Sequence, residues 1–129
     1  MRYFKASIIA WLLLTVSSLA DEYRYKAQVL SVHDGDTITA LVDVGFDVHV
    51  KIKLRLKDVY APELSQNGGT SARQILVNML PPNIIITVYK TKSGNVLKSF
   101  DRYIVSIDDV NDKMIKWLSD NKLTGGTGL

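Results

Sequence analysis

The strongest periodic signal in the chain is a ten-residue stretch, 48–57, in which apolar and polar residues alternate strictly. The apolar positions are Val48, Val50, Ile52, Leu54 and Leu56, and the polar positions are His49, Lys51, Lys53, Arg55 and Lys57. A period of two predicts a β-strand with one face in the core and one in water. The polar face carries four positive charges. It is either an ordinary solvated surface or a wall that attracts a phosphate chain.

Weaker patterns predict four more strands and two helices. Runs rich in β-branched residues predict strands over 25–32, 36–42, 84–89 and 102–107, with a turn at His33-Asp34-Gly35 and a basic loop over 90–98. Helical spacing of apolar residues predicts one helix that begins at a Thr70-Ser71 N-cap and stops before Pro81. A last helix is predicted with Asn111 as its cap.

This order of elements predicts a mainly β fold with helices, of the α+β class. Three strands, a helix, two strands and a helix fit a five-stranded OB-type Greek-key barrel with two helices. Periodicity does not reveal strand order, so an open α+β sheet is the alternative. The 129 residues suffice for one small domain, and the absence of cysteine excludes disulfides, thiolate metal sites and cysteine nucleophiles.

Residues 1–20 have the layout of a signal peptide. Arg2 and Lys5 precede an apolar run over 8–16, and small residues occupy the positions before Asp21. The run is too short to cross a bilayer as a helix, and an uncleaved anchor is the alternative interpretation. Cleavage would leave one domain, 21–129, secreted or periplasmic. Its fourteen basic and thirteen acidic residues give a net charge of +1, so nucleic acid would need a locally basic face.

Four short segments carry residues suited to phosphate chemistry. They are His33-Asp34-Gly35-Asp36-Thr37, Arg55, Ala61-Pro62-Glu63 and Phe100-Asp101-Arg102-Tyr103. Each alone is more often an ordinary turn or strand. Together they resemble the staphylococcal (micrococcal) nuclease family of thermonuclease-like domains, which has Asp-Gly-Asp-Thr followed by an arginine eight residues before the glutamate of a Pro-Glu pair. Arg55 precedes Glu63 by that spacing, and the match runs in order over 25–126.

The resemblance implies an OB-type barrel that hydrolyses phosphodiester bonds in DNA, RNA or both, with calcium as cofactor. By position, Glu63 would be the general base, and Arg55 and Arg102 would hold the phosphate. Asp36 and the backbone carbonyl of Ala61 would bind calcium. These residue types suit the roles, because guanidinium forks match the charge that develops on phosphorus and hard carboxylates match calcium.

Lys51 and Lys53 share the polar face of Arg55, where they could steer a nucleic-acid backbone.

The sequence departs from the family pattern at three places. Tyr60 stands where a metal-binding aspartate is usual, so a weak calcium site is expected, unless Asp58 substitutes for it. Asp101 replaces the usual glycine and could pair with Arg102. The loop after Glu63 has no basic residue over 64–69.

The leading interpretation is an exported, metal-dependent nuclease that acts on DNA or RNA as a monomer, without stable membrane association after signal cleavage. The first alternative is a non-catalytic OB-type module that binds nucleic acid at a degenerate site. The second is an interaction or inhibitor protein displayed outside the cytoplasm.

Overall fold

The computed structural model describes residues 22–123, so the predicted signal peptide, its cleavage point and the glycine-rich C-terminal tail lie outside the described residues. This part of the chain forms strands β1 (Glu22–Asp34), β2 (Thr37–Asp43), β3 (His49–Leu56), β4 (Asn83–Tyr89), β5 (Lys98–Ser99) and β6 (Arg102–Ile107). Its helices are α1 (Gly69–Met79) and α2 (Val110–Asp120). Among residues 22–123, no helix combines the length and the apolar character that a membrane crossing requires.

Five of the strands close into a barrel. They pair in the order β3-β2-β1-β4-β6, and a parallel pairing between β3 and β6 closes the ring, with Leu54 beside Tyr103 and Leu56 beside Val105. The short strand β5 pairs with β6. The closed mixed barrel with two helices confirms the OB-type α+β prediction, and its closing pair excludes the open sheet.

The alternation in β3 predicts burial correctly in only one half of the strand. Leu54 and Leu56 lie in the core, but Val48 and Val50 are 48% and 39% exposed. The prediction that all five apolar residues are buried is therefore wrong for the first half. A two-residue period shows which side of a strand a residue faces, but it does not show how far the core extends along that strand.

The first strand is longer than predicted at both ends. It begins at Glu22, where it pairs with Tyr89, and it continues through His33 to Asp34. The turn predicted at His33-Asp34-Gly35 is present but lies further along the chain, because the connection to β2 consists of Gly35 and Asp36. The pairing of β1 with β2 shifts register at two places in β1. Such irregularities interrupt the alternation of side chains along a strand, so the sequence pattern does not show where the strand ends.

Both predicted helix caps are wrong. Helix α1 begins at Gly69, after Gly68 in a left-handed conformation, so Thr70 and Ser71 lie inside the helix. Asn111 lies in the first turn of α2 and is buried. Its Oδ1 accepts the Ile107 N–H at 3.0 Å, and its Nδ2 donates to the carbonyls of Lys57 and Val105 at 3.0 and 3.1 Å. Asn111 therefore ties α2 to β6 and to the residue that follows β3.

The predicted basic loop over 90–98 contains a small hairpin. A bridge joins Lys90 to Val96, the Thr91 N–H donates to the Asn95 carbonyl at 2.7 Å, and the segment ends in β5. This hairpin carries Leu97 and Ser99 to the outer side of the barrel, beside the end of β3.

Candidate functional site

A buried carboxylate marks the short connection between β1 and β2. Asp36 is only 5% exposed, and its Oδ1 accepts a hydrogen bond from the Thr37 hydroxyl at 2.9 Å. Its Oδ2 accepts the backbone N–H of Ala61 at 3.0 Å. The second bond spans 25 residues of chain and fixes the β1–β2 connection against the segment that leads to Glu63.

Gly35 allows this close approach. A methyl group on Gly35 would lie 2.6 Å from the Cβ of Ala61 and 2.8 Å from the Cβ of Ala72 in α1. Cβ atoms essentially never approach other heavy atoms within 3.0 Å, so a larger residue would push the connection outward. The glycine in the Asp-Gly-Asp motif therefore sets the depth at which Asp36 is buried.

The environment of Asp36 disfavours its negative charge. The pKa of Asp36 is raised to about 6, chiefly by burial and also by the hydrogen bond and charge of the neighbouring Asp34, against the lowering effect of the Thr37 and Ala61 hydrogen bonds. Arg55 Nη2 lies 3.6 Å from Asp36 Oδ2. A cation next to a buried carboxylate favours the ionised form, so this position suits a positively charged neighbour.

Arg55 projects from β3 on the outer side of the barrel, as the alternation predicts. Besides the Asp36 contact, its Nη2 donates to the Val59 carbonyl at 3.4 Å, and its Cζ lies 5.5 Å from the centre of the Tyr60 ring. The side chain is one-quarter exposed and lines a cavity of about 370 Å³ with Tyr60, Leu97, Ser99 and Ile104. The guanidinium is thus held in place at the edge of a space that a substrate can enter.

Glu63 lies in an exposed turn whose backbone is held from two sides. Its N–H donates to Gln66 Oε1 at 2.8 Å, and its carbonyl accepts the Gln66 N–H at 2.9 Å. Gly69, the first residue of α1, lies directly against the Glu63 backbone. Within the described range, the Glu63 carboxylate takes part in no ion pair. Its backbone is therefore positioned while its carboxylate remains available.

Arg102 begins β6 and lies on the same outer face as Arg55. In the β3–β6 pairing that closes the barrel, Leu54 lies beside Tyr103. On each strand the arginine alternates with residues that face the core, so both arginines face outward. The Arg102 Nε lies 3.8 Å from Asp101 Oδ1, and that Nε is buried without a hydrogen-bond partner. The structure places Arg102 beside the closing pair, but it shows no contact between Arg102 and either Arg55 or Asp36.

Asp101 lies between two cations. Its Oδ2 is 3.7 Å from Lys53 Nζ, and its Oδ1 faces Arg102. The ion pair between Asp101 and Arg102 that the sequence suggested is present, and Lys53 forms a second ion pair with the same carboxylate. Lys51 is exposed two residues earlier on β3. Asp101 therefore partly neutralises the basic face on which Lys53 was expected to act.

One further carboxylate lies beside Asp36, since Asp34 Oδ1 accepts the Asp36 backbone N–H at 3.1 Å. Asp58 is exposed, has a left-handed backbone with φ of 63°, and lies 3.5 Å from Lys57 Nζ. Residues 22–123 contain no group of three or more His, Cys, Asp or Glu side chains that could hold a metal ion. The Asp36 carboxylate and the Ala61 carbonyl, which the resemblance groups as metal ligands, are both oxygen donors of the kind that a hard cation prefers.

Sequence reasoning did not identify Gln66, Gly35 or Gly69 as residues that position the site. Their contacts join parts of the chain whose approach no periodicity reveals, although glycine itself is a signal of close backbone approach. Arg73 serves the fold, since its Nε donates to the Val32 carbonyl at 2.9 Å.

Comparison with known proteins provides independent support for the resemblance. No family model matches the chain. A segment of 79 residues is 34% identical to the micrococcal nuclease of Shigella flexneri. It covers 61% of this chain, and the match spans 40% of the length of that relative. This similarity, together with the closed barrel and its two helices, confirms the resemblance and supports a thermonuclease-like family for this chain.

Proposed function

We propose that this chain is an exported, calcium-dependent nuclease that hydrolyses phosphodiester bonds in DNA, RNA or both. The observation that carries the proposal is the buried Asp36, paired with Arg55 and hydrogen-bonded to the backbone two residues before Glu63. This contact brings three of the motif segments into one site. The relative that supports the proposal carries the name micrococcal nuclease.

Arg55 and Arg102 would bind the phosphate. Attack of water on a phosphodiester produces a pentacoordinate phosphorus with additional negative charge, and the bond to one ester oxygen then breaks. A guanidinium stabilises that charge through a rigid fork of N–H donors that stays protonated. Arg55 is already oriented by Asp36 and the Val59 carbonyl, so it loses little freedom on binding. Exposed Lys51 and Lys53 would guide the strand.

Glu63 would act as the general base. Its carboxylate accepts a proton from the attacking water, while Gln66 and the start of α1 hold its backbone. Since this carboxylate has no ion-pair partner within residues 22–123, no competing cation must be displaced before it accepts the proton.

The donors at the site fit a weakly held calcium ion. Asp36 and the Ala61 carbonyl would hold the ion. Both of these ligands are oxygen atoms, which calcium prefers. When bound, calcium would supply positive charge next to the phosphate. Asp58 is paired with Lys57, and Tyr60 offers a phenol where a carboxylate was expected. Two protein oxygens would leave the rest of a calcium shell to water and to phosphate oxygens of the substrate.

A calcium titration of cleavage tests the proposal. Plasmid DNA, a single-stranded DNA oligomer and an RNA oligomer are incubated with the purified protein at increasing calcium concentration. We expect calcium-dependent cleavage, and at least ~10²-fold slower turnover for Glu63→Gln and for Arg55→Ala. Glu22, the other glutamate of the chain, provides the matched control, and Glu22→Gln should cleave normally. Folded variants of Glu63 or Arg55 with near-normal turnover would reject the assignment.

A non-catalytic nucleic-acid-binding module is the second candidate. The observation that favours it is Tyr60 at the position where a second metal-binding carboxylate was expected. This candidate predicts strand binding without cleavage at any calcium concentration, so the same titration separates the two functions.

A further inference from the structure

Tyr60 presents an aromatic ring to solvent beside the candidate phosphate site. The residue is 52% exposed, although its ring is large and apolar. The guanidinium of Arg55 lies over the ring at 5.5 Å, which places the aromatic surface next to a cation assigned to a phosphate. An exposed ring adjoining a phosphate-binding cation is the combination with which proteins bind nucleotide strands.

The ring lies at the boundary between two cavities. The first is the cavity of Arg55 described above, and Tyr60 forms part of its wall. The second, also about 370 Å³, lies between Tyr60 and α2, and Arg55 does not line it. The walls of the second cavity come from Asp58, Tyr60, Ile115, Leu118, Ser119 and Lys122.

The second cavity has the chemistry of a site for a planar, polar-edged ring. Tyr60, the half-exposed Ile115 and the buried Leu118 provide apolar surface. Asp58, Ser119 and Lys122 provide hydrogen-bonding groups and one positive charge. A nucleobase has two apolar faces and an edge of donors and acceptors, so it matches such a lining.

We infer that the cavity between Tyr60 and α2 is a nucleobase subsite, in which the Tyr60 ring stacks on the base next to the phosphate held by Arg55. This inference rests on the proposed function, because it takes the ligand to be a nucleic-acid strand. The position that departs from the family pattern thereby contributes to base binding, while its loss of a carboxylate weakens the metal site.

Strand affinity tests the subsite directly. Binding of a labelled single-stranded DNA oligomer is measured by fluorescence anisotropy, with calcium present and in a Glu63→Gln background that prevents cleavage. We expect Tyr60→Leu to weaken binding about 5- to 100-fold, which is the usual range for loss of one stacked base. Tyr60→Phe keeps the ring and should bind within about twofold of the parent.

A base-free strand separates stacking from a structural role. On an oligomer of the same length in which every nucleotide is abasic, the Tyr60→Leu variant and its parent should bind equally. If Tyr60 only oriented Arg55, the variant would lose affinity on both strands. Tyr23 gives the matched control, since it is 48% exposed with Lys90 Nζ over its ring at 4.8 Å, and Tyr23→Leu should change neither affinity.

Three results would overturn the subsite: normal binding by a folded Tyr60→Leu variant, an equal loss on both strands, or no strand binding by the parent. The nuclease proposal fails separately, if the unmodified protein binds strands with the expected Tyr60 dependence but cleaves none of them with calcium.

Discussion

Gly69 provides a test of how closely the position of Glu63 is controlled. A methyl group on Gly69 would overlap the carbonyl oxygen of Glu63, and it would lie 2.6 Å from the Glu63 carbonyl carbon and 2.9 Å from the Cα of Leu64. These are backbone atoms, so no side-chain rotation relieves the overlap. Gly69→Ala must therefore displace either the Glu63 turn or the start of α1.

The displacement is large enough to affect turnover. The methyl group must reach at least 3.0 Å from each backbone atom, and the carbonyl oxygen is the nearest of them. A shift on the order of 1 Å in a catalytic group costs about 10²-fold in rate. The added atom should also reduce the free energy of unfolding by about 1–3 kcal/mol, as overpacking does.

The assay compares kcat, KM and urea unfolding of Gly69→Ala with those of the unmodified protein. We expect kcat to fall about 10²-fold with a small change in KM, because Glu63 is assigned to proton transfer and not to strand binding. Gly94→Ala is the control. Gly94 has a φ of 86° and no atom within 4 Å of an added methyl group, so this variant should lose about 1 kcal/mol of stability and keep its kcat. A folded Gly69→Ala variant with kcat within twofold of the original would refute this reasoning.

Four further predictions follow from the site and the N-terminal pattern. N-terminal sequencing of the exported protein should begin at Asp21, and an intact N-terminus would contradict signal cleavage. Arg102→Lys should slow cleavage strongly, because an ammonium cannot replace a bidentate guanidinium, whereas Arg73→Lys should cleave normally. If Arg73→Lys were the slower variant, the assignment of Arg102 as the second phosphate-binding arginine would be wrong. Tyr60→Asp should tighten calcium binding by calorimetry and lower the calcium needed for half-maximal cleavage, and unchanged affinity would mean that another group already completes the shell. Asp101→Asn should strengthen strand binding by anisotropy at low salt, with the difference shrinking as salt rises; equal affinities at low salt would show that Asp101 does not compete with phosphate.

Sequence reasoning succeeded where local pattern and motif spacing carry the information. The count and order of elements favour the barrel, although only the β3–β6 pair excludes an open sheet. Arg55 lies outside the core, as its position in the alternation of β3 requires. Asp36 and Ala61 were grouped by resemblance alone, and the structure adds the hydrogen bond that joins them.

The failures concern contacts between distant parts of the chain. Asn111 has the composition of a cap but satisfies backbone groups of β6 and of the residue that follows β3, and only the assembled barrel creates that environment. Val48 and Val50 would be buried only if another element covered the β2–β3 hairpin, and the alternation of residues does not show whether one does. The pairing of β1 with β2 shifts register at two places before the Asp-Gly-Asp turn, and no residue type specifies these shifts.

The parallel pair that closes the barrel would also determine when the proposed site is assembled. Arg55 lies on one strand of that pair and Arg102 begins the other, although the two residues are 47 positions apart in the chain. Pairing across so long a loop is slow, because the entropy of loop closure opposes it until the contacts form. In a chain that has not yet folded, Arg55 and Arg102 are therefore not yet on one face of a barrel. If the proposed function holds, this delay until folding is complete would protect the cell that makes the protein.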